Sequence, residues 1–278
     1  MSFRTYTEVG GSDRSELLEQ VISQRQRVRD RLRTIGRVVA VMSGKGGVGK
    51  SAVAATLAVI AARRHSVGLL DADLKGPTAA QMLGAQPPLV ATEHGIEPAS
   101  GYAGVKVFST DLLLEEGRPL AWNEPASEKF IWRSALETGA LREFLSDVVW
   151  GELDLLLVDL PPGSERVCDL AELVPDLAGA IVVTIPSNES RRSVERAMRA
   201  AKDAGVRMIG IVENMSGYAC AGCLTTQPLF EGDAGALLAA EFAVPLLCSV
   251  PFIPGMTVFP PGPLIEERLA GTIAAILE

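Results

Sequence analysis

Short runs of apolar residues recur along most of the chain and alternate with stretches of helical periodicity. The apolar runs predict seven strands, at residues 38–42, 67–70, 105–108, 153–158, 180–184, 208–212 and 246–250. Between several of these runs lie stretches that predict helices, at residues 52–63, 190–204 and 234–242. Strands that are apolar on both faces and are joined by helices are typical of a parallel sheet. We therefore predict an α/β fold with a mostly parallel, twisted sheet and helices on both faces.

The first 35 residues differ in pattern from the rest of the chain. Residues 1–12 are polar and rich in glycine, which predicts a mobile arm. Residues 13–16 have the form of a capping box, and the apolar spacing after them predicts a helix over about residues 14–33 that packs on the main domain or on a partner. We divide the chain into a polar arm and helix at 1–35 and a main domain at 36–278.

An arginine run follows the start of this helix. A solvated helix face is the simpler interpretation of such a run, and a basic patch for a partner is the alternative. The run consists of Arg25, Arg27, Arg29, Arg31, Arg33 and Arg37.

Composition narrows the classes of function. The chain of 278 residues is 47% hydrophobic but only 5% aromatic, so aliphatic side chains must fill its core. A net charge of −8 disfavours a fold-wide attraction to nucleic acid, and no apolar run is long enough to span a membrane. Neither is expected as a partner. The N-terminus lacks the apolar segment of a signal peptide, so the four cysteines indicate a cytoplasmic protein with reduced thiols.

A glycine-rich loop stands between the first predicted strand and the following helix. It matches the Walker A pattern and reads Gly44-Lys45-Gly46-Gly47-Val48-Gly49-Lys50-Ser51. Glycines let backbone N–H groups turn toward phosphates, and the start of a helix adds the positive end of its dipole. Lys50 is expected to reach the β- and γ-phosphates, and the Ser51 hydroxyl to bind Mg²⁺. ATP with Mg²⁺ is the predicted ligand.

Two acidic loops follow predicted strands. Asp71 and Asp73 come after the second strand, and Asp159 ends the strongest apolar run, before Pro161, Pro162 and Gly163. Carboxylates at the carboxyl ends of parallel strands face the crevice in which ligands bind. Asp159 is therefore predicted to hold Mg²⁺ near the phosphates, and the Gly163 N–H is expected close to the γ-phosphate.

Cys220 and Cys223 form a Cys-x-x-Cys pair after another predicted strand. Such a pair is compatible with a metal, a redox couple or no special role. Two chains side by side would supply four thiolates, enough for one [4Fe–4S] cluster or one zinc ion, and both remain open at this point. Cys168 and Cys248 are expected to be core residues.

In this order the motifs resemble a known family. Lys45 gives the loop the deviant Walker A form of the class of MinD, ParA and the nitrogenase iron protein. The complete set is similar to the Mrp/ApbC family of iron–sulfur cluster carrier ATPases, over about residues 36–265. The matching segments are 43–51, 70–73 with Gly76 and Pro77, Trp132-Arg133, 150–154, 158–163, and 213–216 with Cys220 and Cys223.

The resemblance implies a P-loop NTPase of the MinD/nitrogenase-iron-protein type that works as a homodimer. It implies that Lys45 crosses the interface to the partner's nucleotide, that Asp73 orients the attacking water, and that Asp71 supports the magnesium shell. Lys45, Lys50 and Asp73 are thus the implied catalytic residues, while Ala52 and Asn214 join the loop in binding the nucleotide. A [4Fe–4S] cluster would lie between two Cys220/Cys223 pairs and pass to apo iron–sulfur proteins.

The sequence departs from the family pattern at three places. Ala52 replaces a threonine, Lys75 replaces a tyrosine, and the segment Ser164-Glu165-Arg166 replaces Thr-Gly-Asp with a bulkier and more basic one. The motifs therefore predict nucleotide binding, but they do not predict the rate of hydrolysis.

Two other functions share these motifs. One is a spatial switch like MinD or ParA that cycles on membrane or DNA. Its lipid-bound form needs a basic amphipathic C-terminal helix, whereas residues 264–278 carry Glu266, Glu267 and Glu278 against Arg268. The other is a P-loop dimer bridged by structural zinc.

Overall fold

A computed structural model describes residues 17–87, 89–113, 129–220, 222–223, 225–253 and 259–278. Side chains are described within these ranges except at 17–21 and 129–137. The predicted mobile arm at 1–12 and the capping box at 13–16 lie outside the described residues.

The predicted parallel sheet is present and forms the centre of the fold. Its strands are β1 (Ile35–Ser43), β2 (Val67–Asp71), β5 (Ala99–Ser100), β6 (Lys106–Ser109), β7 (Leu153–Asp159), β8 (Gly179–Thr184), β9 (Met208–Ala219), β10 (Thr226–Gln227) and β11 (Leu246–Phe252), while β3 (Val90–Thr92) and β4 (Gly95–Glu97) form a separate hairpin. The neighbours β11, β9, β8, β1, β7, β2 and β6 pair in parallel in that order. The two-residue strands β5 and β10 pair antiparallel, at β6 and at the end of β9.

Each of the seven predicted strands is confirmed, but one is much longer than its apolar run. The sequence predicts a strand at 208–212, whereas β9 continues to Ala219. Glu213, Asn214 and Ser216 interrupt the apolar pattern there, and the added length is held by pairing with β10 and β11.

Helices lie along the chain between the strands and at both ends of the described part. They are α1 (Leu17–Leu32), α2 (Lys50–Ala61), α3 (Ala79–Met82), α4 (Lys129–Asp147), α5 (Glu165–Leu173), α6 (Asn188–Asp203), α7 (Ala234–Phe242) and α8 (Pro263–Leu277), with 3₁₀ turns at Tyr102–Gly104 and Thr110–Leu113. Helices α3, α4, α5 and α8 are additions to the predicted elements. None of the described helices is both long enough and apolar enough to cross a lipid bilayer.

The two faces of the sheet carry separate cores. Alternate residues of β1 point to opposite faces. Val39 and Val41 belong to the core that α2 and α8 cover, and Val38 and Met42 belong to the core covered by α4, α5 and α6. Helices on both faces confirm the predicted α/β architecture.

Helix α1 packs on this second core rather than standing apart. Val28 is completely buried there. Arg31 donates from Nε to the carbonyl oxygen of Ser146 at the end of α4 (3.0 Å), and its guanidinium also donates to the carbonyl oxygen of His94. Arg25, Arg27, Arg29 and Arg33 are exposed, as a solvated face predicts, and Arg31 departs from that interpretation. The domain division after residue 35 stays a prediction.

Candidate functional site

The glycine-rich loop joins the buried end of β1 to the first residue of α2. Gly47 and Gly49 have φ of +79° and +76°, a left-handed conformation that favours glycine. The Ser43 hydroxyl donates to the Lys45 carbonyl oxygen at 3.0 Å and closes the turn. The loop is therefore shaped by its glycine backbone and by this bond from the Ser43 side chain.

Two loop glycines are also required by close packing. A Cβ atom on Gly44 would lie 2.2 Å from the backbone nitrogen of Val194 on α6, and one on Gly49 would lie 2.3 Å from Nδ2 of Asn214 on β9. The loop is thus held between a helix and a strand that come much later in the sequence.

Lys50 and Asp159 form a buried ion pair at the centre of the site. Lys50 Nζ lies 2.5 Å from Asp159 Oδ1 and 3.4 Å from the Ser51 hydroxyl oxygen. The two charged side chains are 6% and 0% exposed. Burial raises the pKa of Asp159, and the Lys50 ammonium opposes that rise. Oδ2 of Asp159 is buried and has no hydrogen-bond partner among the described residues.

Asp71 lies beside Asp159, because β2 and β7 pair in register at these two residues. Its Oδ1 accepts from the N–H of Asp73 (3.1 Å), and its Oδ2 accepts from the N–H groups of Thr78 (2.9 Å) and Ala79 (3.0 Å). Burial raises the pKa of Asp71 to about 6, and the charge of Asp159 adds to the rise. Asp71 therefore fixes the loop at 73–79, beside the support of a magnesium shell that the resemblance implies for it.

A cleft of about 360 Å³ opens beside the loop. All of the predicted nucleotide-binding residues except Gly44 line it: Lys45, Gly46, Gly47, Val48, Gly49, Lys50, Ser51, Ala52 and Asn214. Asp73, predicted as catalytic, and Ser43 line it too. Asp71 and Asp159 lie behind this lining, in the buried layer. The lining also includes Thr78, Met82, Pro162, Met215 and Phe252. Of these, Met215 could have been found from its neighbour Asn214, but no sequence signal marks Phe252.

Asn214 is almost fully buried between β9 and the loop. Its Nδ2 donates to the carbonyl oxygen of Val48 at 2.9 Å, while its Oδ1 is buried with no partner in the described part of the chain. The side chain therefore supports the loop through Nδ2, and its Oδ1 can still accept a hydrogen bond.

The contacts of Arg166 explain part of the altered segment Ser164-Glu165-Arg166, which follows the second acidic loop. Arg166, at the start of α5, donates from one guanidinium nitrogen to Thr138 Oγ1 (3.0 Å) and to Asp169 Oδ2 (2.7 Å). Its charge is thus paired within α5, while its bond to Thr138 joins α5 to α4. The Gly163 N–H, expected near the γ-phosphate, donates to the Ser43 carbonyl oxygen at 3.0 Å in this structure.

Cys220 and Cys223 lie in the turn that follows β9. The Cys220 N–H donates to the Thr225 carbonyl oxygen at 3.0 Å, and Cys223 Sγ lies 2.7 Å from Thr225 Oγ1. The exposed Cys223 thiol has its pKa lowered by the Thr225 hydroxyl, and to a smaller extent by the Thr225 backbone and Cys220. In this turn Cys223 is exposed and Cys220 is half-exposed.

The other two cysteines do not join them. Cys168 packs on the core beside α6 and Cys248 on the core beside α8, and burial raises the pKa of both thiols. All four cysteines are free, and the described residues contain no group of three or more His, Cys, Asp and Glu side chains that could hold a metal ion.

Similarity to known proteins agrees with this geometry. The sequence profile of the family described as "ParA: NUBPL iron-transfer P-loop NTPase" matches residues 34–258. An iron-sulfur cluster carrier protein of Saccharolobus solfataricus is 37% identical over 248 residues, which are 88% of this chain and 80% of that protein. The cytosolic Fe-S cluster assembly factor NUBP2 of Homo sapiens is 38% identical over 231 residues, which are 80% of this chain and 81% of that protein.

Solved structures give the same result for the fold. A nucleotide-binding protein of Archaeoglobus fulgidus, solved in complex with ADP, has a TM-score of 0.69 and 31% identity, covering 91% of this chain and 92% of its own. The cell division ATPase MinD of Pyrococcus furiosus has a TM-score of 0.57 at 21% identity, with coverage of 87% and 98%, and shows the shared fold. By the match over residues 34–258 and by these relatives, the chain belongs to the ParA family of NUBPL iron-transfer P-loop NTPases, which confirms the Mrp/ApbC assignment that its motifs predict.

Proposed function

We propose that the protein binds and hydrolyses ATP and carries an iron–sulfur cluster between two copies of the chain, for transfer to apo iron–sulfur proteins. One observation carries the proposal: strand β9 lines the nucleotide cleft at Asn214 and leads directly into the half-exposed Cys220 and the exposed Cys223. In a cluster carrier that is driven by nucleotide, the nucleotide site and the cysteine site need to be joined by a common structural element. The relatives named as iron–sulfur carriers and assembly factors support the same function.

The buried carboxylate layer fits a magnesium ion. Mg²⁺ prefers oxygen ligands, and Asp159 Oδ2 is a buried carboxylate oxygen without a partner in the described structure. The Ser51 hydroxyl lies 3.4 Å from the Lys50 ammonium that Asp159 Oδ1 binds. Ser51 and Asp159 would hold the ion, and Asp71 would support them by fixing the adjacent loop. When bound, Mg²⁺ neutralises charge on the phosphates. Lys50 already holds its ammonium inside the loop through Asp159, where phosphates enter.

Lys45 and Asp73 are the proposed catalytic residues beyond Lys50. Both line the cleft, and Lys45 is half-exposed with no acidic partner in the described part of the chain. Its flexible cation is available to a nucleotide in a second copy, where it would stabilise charge in the transition state. Asp73, whose Oδ1 accepts from the Lys75 N–H at 3.2 Å, would orient the attacking water molecule.

The cluster would be cargo held by two chains. One Cys220/Cys223 turn supplies two thiolates, and no further metal-ligating group stands beside it among the described residues. A [4Fe–4S] cluster takes four cysteine ligands, so a homodimer with two turns completes the site. The free thiols fit a reducing compartment, and we propose the cytoplasm.

The C-terminal helix favours the carrier over a membrane-bound switch. Ile265, Leu269 and Ile276 of α8 are buried in the core of the domain, so its apolar side is already used. On the outer side, Glu266 forms an ion pair with Arg63. A helix in this state offers acidic side chains, not a basic apolar face, to anionic lipid.

Anaerobic reconstitution with iron and sulfide tests the proposal. The wild type should gain a broad brown absorbance near about 400 nm, with close to one four-iron cluster per two chains. Cys220→Ser and Cys223→Ser should each lose it, whereas Cys168→Ser, in the same chain but away from the turn, should keep it. Uptake of zinc with no cluster absorbance would identify a structural zinc dimer instead and reject the carrier function.

A further inference from the structure

We propose that Met215 is a positioning residue that links occupancy of the nucleotide cleft to the placement of Cys220 and Cys223 within a single chain. The inference rests on the proposed function for the role of the two thiols. The link itself is argued from strand β9, and it does not require the second copy.

Strand β9 belongs to both sites. Asn214 and Met215 line the cleft, and Cys220 follows the last strand residue, Ala219. The six steps along the chain from Asn214 to Cys220 span at most about 20 Å at the rise of an extended strand. A change in the direction of the strand near Met215 therefore moves the thiols directly.

The strand is fixed to the phosphate loop just before this point. Asn214 donates from Nδ2 to the Val48 carbonyl oxygen at 2.9 Å, and it packs so closely on Gly49 that a Cβ there would lie 2.3 Å from Nδ2. With Asn214 held, the part of β9 that can turn is the part that follows.

Met215 carries a bend at that position. Its φ is +53°, a left-handed conformation that costs a residue with a side chain about 1 kcal/mol. The pairing with β11 shifts there too: Val250 is opposite Asn214, but Phe252 is opposite Tyr218, so four steps on β9 face two on β11. Such irregularities re-aim strands next to functional sites.

A ligand in the cleft meets both sides of this bend. Met215 is half-buried and lines the cleft, and so does Phe252, the strand partner of Tyr218. Beyond the bend, Tyr218 pairs with Gln227 on β10 and so closes the turn that contains both cysteines. Pressure on the Met215 side chain is thus passed through Tyr218 to the turn, and we expect nucleotide to change the accessibility of the thiols.

The test measures iodoacetamide alkylation of each cysteine by mass spectrometry on the reduced, cluster-free protein, with and without saturating Mg-ADP. Dilute samples shown by light scattering to be monomeric remove any effect of dimer formation. In the wild type, Mg-ADP should change the rates at Cys220 and Cys223 at least about threefold, the size of a modest shift in a local opening equilibrium. Cys168 and Cys248 should not respond and serve as internal controls.

Three variants isolate the contribution of the Met215 side chain. Met215→Gly keeps the left-handed backbone without cost but removes the side chain, so the ratio of rates should fall to about one. Met215→Leu restores the bulk and should restore the response. Met208→Ala removes a methionine of the same strand, before Asn214 and outside the cleft lining, and should respond as the wild type does. Calorimetry on each variant sets the ADP concentration needed for saturation.

A full response in Met215→Gly would overturn the proposal, as would a wild type that binds ADP with no change at the two thiols. A response confined to dimeric samples would also overturn it, because the link would then run through the interface. Cluster binding is not involved in this measurement. Failed reconstitution with an intact ADP response would therefore reject the carrier function but leave the link standing.

Discussion

The phosphate loop and the cysteine turn lie at the two ends of one segment of β9, and they are built in opposite ways. The loop lies over a buried layer in which Lys50, Asp71 and Asp159 are nearly inaccessible to solvent and are hydrogen-bonded to one another or to backbone. The turn is held by a two-residue strand and presents half-exposed or exposed sulfur atoms.

This difference indicates that a single chain can complete the nucleotide site but not the cysteine site. Buried charges need fixed partners, and the loop has them within the chain. Exposed thiols with two ligands per chain need another molecule to complete a four-ligand site. The nucleotide site should therefore bind ligand in a monomer, while cluster binding and, through Lys45, hydrolysis should need two chains.

The largest expected effect is the loss of hydrolysis on removal of Lys45, which tests whether turnover needs two chains. Lys45→Ala should lower kcat about 10³-fold, because a charge-neutralising group from the second chain is lost, and should leave ATP affinity within about threefold. Steady-state hydrolysis and calorimetry measure the two quantities.

Mixing provides the control for this variant. Equal amounts of Lys45→Ala and Lys50→Ala chains should recover roughly a quarter of wild-type turnover, since half the dimers are mixed and each mixed dimer has one complete site. If Lys45→Ala alone keeps normal turnover, or mixing recovers nothing, Lys45 does not act across the interface.

A smaller effect sharpens the description of the buried layer. Lys50→Ala should weaken ATP binding at least about 10²-fold, because it removes the buried cation and leaves the Asp159 charge unpaired against incoming phosphates. Calorimetry on monomeric samples measures it, and Lys45→Ala, a lysine lost from the same loop, is the matched control. Equal losses in the two variants would contradict the different roles given to them.

The pH dependence of stability tests the same layer at Asp71, whose pKa is raised from 3.8 to about 6. A carboxyl group with a raised pKa in the folded state stabilises the protein at low pH, and this contribution is lost as the pH rises through the folded value. Relative to Asp71→Asn, the free energy of unfolding of the wild type should fall by about 2 to 3 kcal/mol between about pH 4 and pH 7. Urea titrations without Mg²⁺ measure it.

Asp154 provides a control with the opposite sign. It is exposed, and hydrogen bonds from Ser66 lower its pKa, so its contribution is lost as the pH falls. Parallel pH profiles for the wild type and Asp71→Asn would show that Asp71 is not buried as described.

The smallest expected effect concerns the hydrogen bonds by which Arg31 attaches α1 to the main domain. Arg31→Ala removes the hydrogen bonds to the carbonyl oxygens of Ser146 and His94 and should cost about 1 kcal/mol, because the site is only partly buried. Urea unfolding measures the loss, and hydrogen exchange should rise at β3 and β4. Arg27→Ala, whose guanidinium bonds Ser23 on the same helix, should cost less. Equal losses would mean that α1 is held by Val28 and its apolar neighbours instead.

Much of the fold and of the nucleotide site could be predicted because it is written in local patterns. The seven parallel strands follow from apolar runs, and the loop at 44–51 follows from glycines whose backbone conformation at Gly47 and Gly49 excludes most other residues. The long end of β9 could not be predicted, since Glu213 and Asn214 interrupt the apolar pattern and are compensated only by distant partners. Glu213, for example, accepts from the N–H of Gly235 at 2.8 Å.

By itself the sequence determined the α/β fold, the order of the nucleotide motifs and the family, because these depend on periodicity and on residue types at fixed spacing. Only the tertiary structure decided which partners each carboxylate binds and which residues complete the lining of the cleft. Asp71 serves the backbone of its own loop, and Arg166 joins two helices. Met215 and Phe252 enter the cleft because β9 bends against β11. Such roles arise from contacts between residues far apart in the chain, and no local pattern encodes them.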